Sequence, residues 1–218
     1  MPTFLRQDAI RLLEAGVGAL NLSLIGLGIP RQGPPARVQT SRYAAELGLL
    51  GVATALAISA VYVQAAGPGA LRTSDTQYKT ARQVLDDFRS LLATPPPSLD
   101  FLTKGVADPA AHRAELAGYC RRLRLLTTQR AGAVHDGRGL SRDVCLSIAR
   151  QVSSLYQLLA RSERIRPYVS NVPVPPETIV EPVVLVEDLR AQLDAGLAPH
   201  AVLEGERQGL EELPVVLS

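Results

Sequence analysis

Arg130 and His135 are the two residues of this chain whose types and spacing point most directly to chemistry. Histidine can accept and then donate a proton near neutral pH, so one histidine can serve as both general base and general acid. Arginine stays charged and presents a planar fork that matches the oxygens of a phosphate. The pair could therefore transfer protons beside a phosphate group and stabilise the negative charge that develops on it.

The spacing does not by itself bring Arg130 and His135 together. Five residues on an ideal helix advance about 7.5 Å and turn about 140°, so the side chains leave different faces. They converge if the helix loosens at Gly132, or if two copies of the chain meet across a dimer interface. Structural roles are the alternatives: His135 suits the negative end of a helix dipole, and Arg130 could form a salt bridge with Asp136 or Glu46.

Helices must position these residues, because the apolar residues are mostly Ala and Leu and no alternating strand-like runs occur. The predicted fold is all-α, an up-and-down bundle of about five helices. Apolar periodicity, caps and Pro/Gly breaks predict helices over residues 4–28, 42–64, 76–93, 109–135 and 141–166, with a short helical stretch at 99–104. Ser74 or Asp75 is the predicted cap of the third helix, Tyr78 opens its apolar stripe, and Asp108 caps the fourth.

Residues 1–166 form the predicted helical domain, and residues 167–218 form a Pro-rich, acidic arm or linker. Within the arm, residues 172–182 are predicted to be extended. A short helix is predicted over residues 186–193.

The second helix contains an uncharged run, residues 47–66, that is long enough to cross a bilayer. Thr54, Tyr62 and Gln64 lie within it, and the flanking arginines show no clear orientation bias. A central bundle helix that is covered on all sides explains the same pattern. A buried helix is therefore favoured over a membrane span.

Charge is distributed unevenly along the chain. Residues 113–166 carry eleven arginines and four acidic residues, a net of +7, whereas residues 167–218 carry two arginines and nine acidic residues, a net of −7. A basic segment beside an acidic tail suggests a polyanionic partner, with the tail as a solvated face or an electrostatic cover. The candidate RNA-backbone contacts are Arg121, Arg122, Arg124 and Arg138. The alternative is that these arginines form a solvated basic face.

Cysteine and histidine usage gives no metal site. Cys120 and Cys145 are far apart and lack CxxC spacing, and His112, His135 and His200 do not form a zinc-ligand pattern. Glycine-rich phosphate-binding loops and common hydrolase motifs are also missing. The interpretation is a cytoplasmic protein with reduced cysteines, no secretory signal, no cofactor and no metal.

The segment from Gln129 to Asp136, which reads R-x4-H at the end of a long helix, resembles the HEPN superfamily of α-helical bundles. The resemblance covers residues 4–166 and depends on helix order and this one motif, R-x4–6-H on the penultimate core helix. Arg130 and His135 match the catalytic positions of that family. Many of its members are metal-independent ribonucleases of toxin–antitoxin, CRISPR and anti-phage systems, in which a dimer joins two motifs in one cleft.

The resemblance implies a homodimeric endoribonuclease that acts on RNA, with Arg130 and His135 of each chain in a composite site. An antitoxin or other regulatory protein is the implied partner. One position departs from the family pattern: the residue after the arginine is often polar, and here it is Ala131. This departure favours an alternative, a non-catalytic HEPN-like bundle that mediates protein assembly.

Overall fold

The computed structural model describes residues 5–28, 43–74, 77–122, 126, 142–169 and 172. The α-helices in these residues are α1 (Gln7–Gly28), α2 (Ala44–Ala66), α3 (Ala81–Ala93), α4 (Pro109–Arg122), α5 (Arg142–Leu159) and α6 (Arg166–Val169). Two 3₁₀ helices, Pro68–Leu71 and Pro97–Thr103, join them. No strand occurs in this part of the chain, where a single β-bridge pairs Arg72 with Tyr78. The all-α prediction is confirmed, but about five helices was too low a count.

Helices α1 and α2 form the most extensive helix pair of the described residues. α2 is the central helix, because it also contacts α3, α5 and both 3₁₀ helices. Its Leu47, Leu50 and Ala53 are fully buried. The apolar run predicted a central helix that is covered on all sides, and α2 is central but not completely covered.

Both α1 and α2 are long and apolar enough to cross a membrane, judged by length and composition alone. The most apolar window of α2 is 67% buried inside the protein, whereas that of α1 is 33% buried. Core helices of soluble proteins meet the same criterion, so the choice between a buried helix and a span stays a prediction.

Helix α3 begins later than predicted, and the predicted cap at Ser74 or Asp75 is wrong. Thr80 is the N-cap: its hydroxyl accepts a hydrogen bond from the Gln83 amide (3.3 Å), and the Gln83 side chain accepts one from the Thr80 amide (2.8 Å). This reciprocal capping box satisfies two amides that the first helical turn leaves open. Tyr78 therefore precedes the helix and is exposed, so its predicted place in the apolar stripe is also wrong.

The predicted start of α4 is confirmed. The Asp108 carboxylate accepts hydrogen bonds from the amides of Ala110 (3.0 Å) and Ala111 (2.9 Å). Leu126, beyond the end of α4, is helical and buried, whereas the rest of the predicted helix as far as His135 lies outside the described residues. The short stretch predicted at 99–104 is the 3₁₀ helix Pro97–Thr103.

Helix α5 presents its predicted apolar residues to the core, including Val144, Val152 and Leu155. It ends at Leu159, earlier than predicted, and turns follow. The Ser162 hydroxyl donates to the Phe101 carbonyl (2.6 Å), which holds this turn against the second 3₁₀ helix.

The core continues past residue 166, the predicted end of the helical domain. Val169 and Val172 are buried members of the same apolar cluster as α1, α2 and α5. The remainder of the predicted arm, residues 173–218 with the predicted helix over 186–193, lies outside the described residues.

Candidate functional site

The predicted catalytic pair lies in a stretch that the structure does not describe. Arg130, His135 and Ala131 fall within residues 127–141, and two of the predicted RNA contacts, Arg124 and Arg138, are likewise outside the described residues. Arg121 and Arg122 are the last two residues of α4, where only their helical backbone is described. The catalytic and RNA-binding assignments therefore stay predictions.

The helices on either side of this stretch pack against each other. α4 contacts α5, and Leu126 and Cys145 are buried in the core that they share. At the start of α5, the Arg142 guanidinium donates from Nε to the Leu27 carbonyl (2.7 Å). This hydrogen bond holds the start of α5 against the carboxyl end of α1.

An acidic side chain is buried at the same end of the bundle. Glu46, in the first turn of α2, is only 4% exposed, and its carboxylate packs so closely on Gly26 that a Cβ atom there would clash with it. The Ser23 hydroxyl donates to the Glu46 carbonyl (3.1 Å). A carboxylate in a first helical turn is favoured by the helix dipole. The predicted salt bridge between Glu46 and Arg130 involves a residue outside the described part.

His112 was considered in the sequence only as a metal ligand, but the structure gives it a different environment. Its side chain is buried at the start of α4, and its two ring nitrogens have no hydrogen-bond partner among the described residues. Burial lowers the pKa of His112, and the nearby Arg161 and Arg113 lower it further, against a smaller opposing effect of Glu115. These surroundings therefore disfavour the charged imidazolium form of His112.

The cysteines are also part of the core. Cys120 and Cys145 are both buried. Within the described ranges, no group of three His, Cys, Asp or Glu side chains is arranged to hold a metal ion.

The described residues contain an open cleft that the sequence did not indicate. It has a volume of about 860 Å³ and lies between the start of α1, the end of α2, the first 3₁₀ helix and the turn that precedes α3. The cleft is lined by Asp8, Arg11, Leu12, Val63, Pro68, Gly69, Leu71, Arg72, Thr73, Ser74 and Tyr78.

Arg72 and Tyr78 form the polar wall of this cleft. The Arg72 guanidinium lies 5.1 Å from the centroid of the Tyr78 ring and donates a hydrogen bond to its hydroxyl (3.2 Å). Sequence reasoning missed this pair because it assigned Tyr78 to an apolar helix stripe. Thr80 followed by Gln83 is a capping-box pattern, and this signal could have placed Tyr78 before the helix.

Comparison of the chain with protein-family models, curated proteins and solved structures finds no match in any of the three. The HEPN resemblance therefore continues to depend on the R-x4-H motif and the order of helices.

Proposed function

We propose that this protein is a metal-independent endoribonuclease that acts as a homodimer, with Arg130 and His135 of each chain in a composite site. The observation that carries the proposal is the R-x4-H motif, which lies in the sequence between two helices, α4 and α5, that pack together in an all-α bundle. The net charge of +7 over residues 113–166 supports a polyanionic substrate.

The two residues would divide the chemistry between them. His135 takes the proton of a 2′-hydroxyl as that oxygen attacks the adjacent phosphorus, and a protonated imidazole then returns a proton to the departing 5′-oxygen. Arg130 remains charged and stabilises the negative charge that builds on the phosphate oxygens. The products are a 2′,3′-cyclic phosphate and a free 5′-hydroxyl. Helices from a second copy would bring the opposite motif into the same cleft.

The proposed biological role is that of a toxin or defence effector. Such an enzyme must be restrained in the cell that makes it. A partner protein, or the acidic arm with its net charge of −7, would provide the restraint by covering the basic segment.

The test is incubation of the purified protein with labelled RNA in excess EDTA, beside Arg130→Ala, His135→Ala and the control His200→Ala. Cleavage by the parent and the control is expected. Loss of the histidine should slow cleavage by roughly 10²- to 10⁴-fold, the usual contribution of a general acid–base residue. His135→Ala protein that cuts as fast as the parent would refute the assignment. If the parent is silent, the assay is repeated on a chain that ends at Val172, which tests restraint by the arm.

A second candidate function is a non-catalytic assembly module. Leu22 and Ile25 are large apolar residues of α1 that face solvent, at 59% and 63% exposure. Exposed apolar residues that lie together are typical of protein contact surfaces. This function predicts that the parent leaves RNA intact with and without the arm, and that Leu22→Glu lowers the oligomeric mass in light scattering.

A further inference from the structure

The cleft beside Tyr78 has the size and lining of a ligand site. Its volume of about 860 Å³ falls in the range of ligand pockets, roughly 300–1,000 Å³. The apolar floor includes Leu12 and Val63, and the charged groups in the lining are Asp8, Arg11 and Arg72. With one anionic and two cationic side chains, the lining of the cleft has a net charge of +1.

The Tyr78 ring is displayed at this cleft and is not buried. It is 68% exposed, although Arg72 covers one of its faces. Backbone hydrogen bonds hold the turn that carries this ring. The Lys79 amide donates to the Leu71 carbonyl (2.7 Å), and the Thr73 amide donates to the Gln77 carbonyl (2.9 Å). An aromatic ring that is carried on a hydrogen-bonded turn and exposes a flat face to solvent provides a platform on which a planar group can stack.

The next residue fixes this platform to the bundle. Lys79 Nζ donates to the Asp87 carboxylate (2.7 Å) and to the Tyr62 hydroxyl (2.9 Å), and these two hydrogen bonds raise the pKa of Lys79. Its ammonium group therefore binds side chains of α2 and α3 and is not available to a ligand. The backbone that carries Tyr78 is thereby anchored to the bundle before any ligand arrives, which reduces the entropy cost of binding.

Stacking rings beside guanidinium groups are the usual means by which proteins hold single-stranded nucleic acid. Arg11 and Arg72 can accommodate a phosphate, for which the guanidinium fork is well shaped. The Asp8 carboxylate can accept a hydrogen bond from a base amino group, such as that of adenine. A lone inorganic anion would use the arginines but would leave the ring and the carboxylate without a role.

We infer that this cleft binds one nucleotide of single-stranded RNA, with its base stacked on Tyr78 and its phosphate at Arg11 and Arg72. The choice of RNA rests on the proposed function. The inference adds to that function an RNA contact outside the basic segment of residues 113–166, on elements contributed by α1, α2 and the turn before α3. Such a contact would anchor the strand and would not take part in its cleavage.

The test is fluorescence anisotropy with a labelled oligoadenylate of about ten nucleotides, within the usual range of site sizes. Its 2′-hydroxyls are methylated so that it cannot be cut. Tyr78→Ala should weaken binding by roughly 5- to 150-fold, the effect of losing one stacked base. Tyr78→Phe, which keeps the ring, should bind within about 3-fold of the parent on the same basis.

Charge is tested separately from stacking. Arg72→Gln should reduce the salt dependence of binding, with the slope of log affinity against log salt smaller by about 0.7 for one lost phosphate contact. Tyr78→Ala should leave that slope unchanged. Arg82→Gln is the matched control, since Arg82 is an exposed arginine of α3 outside the cleft lining. It changes the net charge equally and should not change binding through the cleft.

Equal binding by Tyr78→Ala and the parent would overturn the inference, as would a parent that binds no oligoadenylate. Binding of AMP that matches the oligonucleotide in affinity would also overturn it, because the site would then serve a free nucleotide. The RNA cleavage assay with His135→Ala is independent of these titrations. Tyr78-dependent binding together with cleavage that does not depend on His135 would mean that the proposed function fails and this inference stands. His135-dependent cleavage without Tyr78-dependent binding would mean the reverse.

Discussion

Helices α1 and α2 have similar apolar stretches but very different surroundings. Residues 15–28 of α1 and residues 47–66 of α2 contain no charged side chain. Nevertheless Leu50 of α2 is completely buried, whereas Leu22 of α1 is mostly exposed. α2 packs against α1, α3, α5 and the 3₁₀ helices. Within the described residues, α1 lies at the edge and makes extensive contacts only with α2, α5 and α6. Apolar composition indicates a helix, but neighbours determine which of its faces are covered.

The largest expected effect is the loss of stability when a buried leucine of α2 is truncated, compared with the same change at an exposed leucine of α1. Leu50→Ala should lower the free energy of unfolding by about 2–5 kcal/mol, because it removes buried methyl groups and leaves a cavity. Leu22→Ala, the same change on the open face of α1, should alter it by less than about 0.5 kcal/mol. Urea unfolding followed by circular dichroism measures both. Equal losses in the two variants would mean that α1 is covered as fully as α2.

A pair of glycines in α1 tests the covered and open faces of a single helix. A Cβ atom at Gly16 would clash with the Tyr156 hydroxyl, which donates to the Ala53 carbonyl (2.8 Å). Gly16→Ala should therefore cost about 1–3 kcal/mol through overpacking and loss of this buried hydrogen bond.

Gly18→Ala is the matched control, since nothing lies within 4 Å of a Cβ atom at that position. Alanine restricts the unfolded chain and favours helix, so this variant should be more stable by about 0.4–1 kcal/mol. The two variants should shift the urea midpoint in opposite directions. A shift of the same sign in both would contradict the assigned orientation of α1.

The contrast between covered and open positions extends to polar groups. Burial holds the pKa of His112 below its ordinary 6.5. Below about pH 6.5 the unfolded chain therefore binds more protons at this residue than the folded chain, so stability declines as the pH falls. Unfolding measured between about pH 7 and about pH 5 should show a steeper decline for the parent than for His112→Gln. Parallel curves would mean that His112 titrates in the folded protein as it does in the unfolded chain.

The ion pair beside His112 should have the smallest effect. Arg161 donates two hydrogen bonds to Glu115 (2.5 and 3.3 Å), but both side chains are about half exposed. Arg161→Gln should cost only about 0.2–1 kcal/mol, as is usual for exposed pairs, and salt should reduce the difference. A loss comparable to that of Leu50→Ala would show that the pair is shielded from solvent. Thermal melts at low and high salt provide the measurement.

Local signals predicted the helices well where they act within one turn. The Asp108–Pro109 start of α4 is confirmed because the cap and the amides it satisfies are neighbours in the sequence. The start of α3 was misplaced because two capping signals, Ser74–Asp75 and Thr80, compete in one short segment. The β-bridge between Arg72 and Tyr78 separates that segment from the helix. The helical periodicity of the sequence does not reveal such a bridge.

The two candidate sites differ in the same way: one is marked by a local sequence pattern, and the other is formed only by tertiary packing. Arg130 and His135 were found by residue type and spacing, and their geometry stays a prediction. The Tyr78 cleft could not be found in this way, since its lining comes from α1, the end of α2 and the turn before α3. Residues distant in the sequence form one surface only after the helices pack.

The sequence by itself determined the helical class, most helix positions and the R-x4-H motif, because periodicity, caps and residue chemistry are local properties of the chain. Only the tertiary structure decided that α2 is mostly covered while α1 has an open face, that His112 is buried, and that Tyr78 faces a cleft. These outcomes depend on which elements cover each other. That is a property of the assembled bundle and not of any single segment.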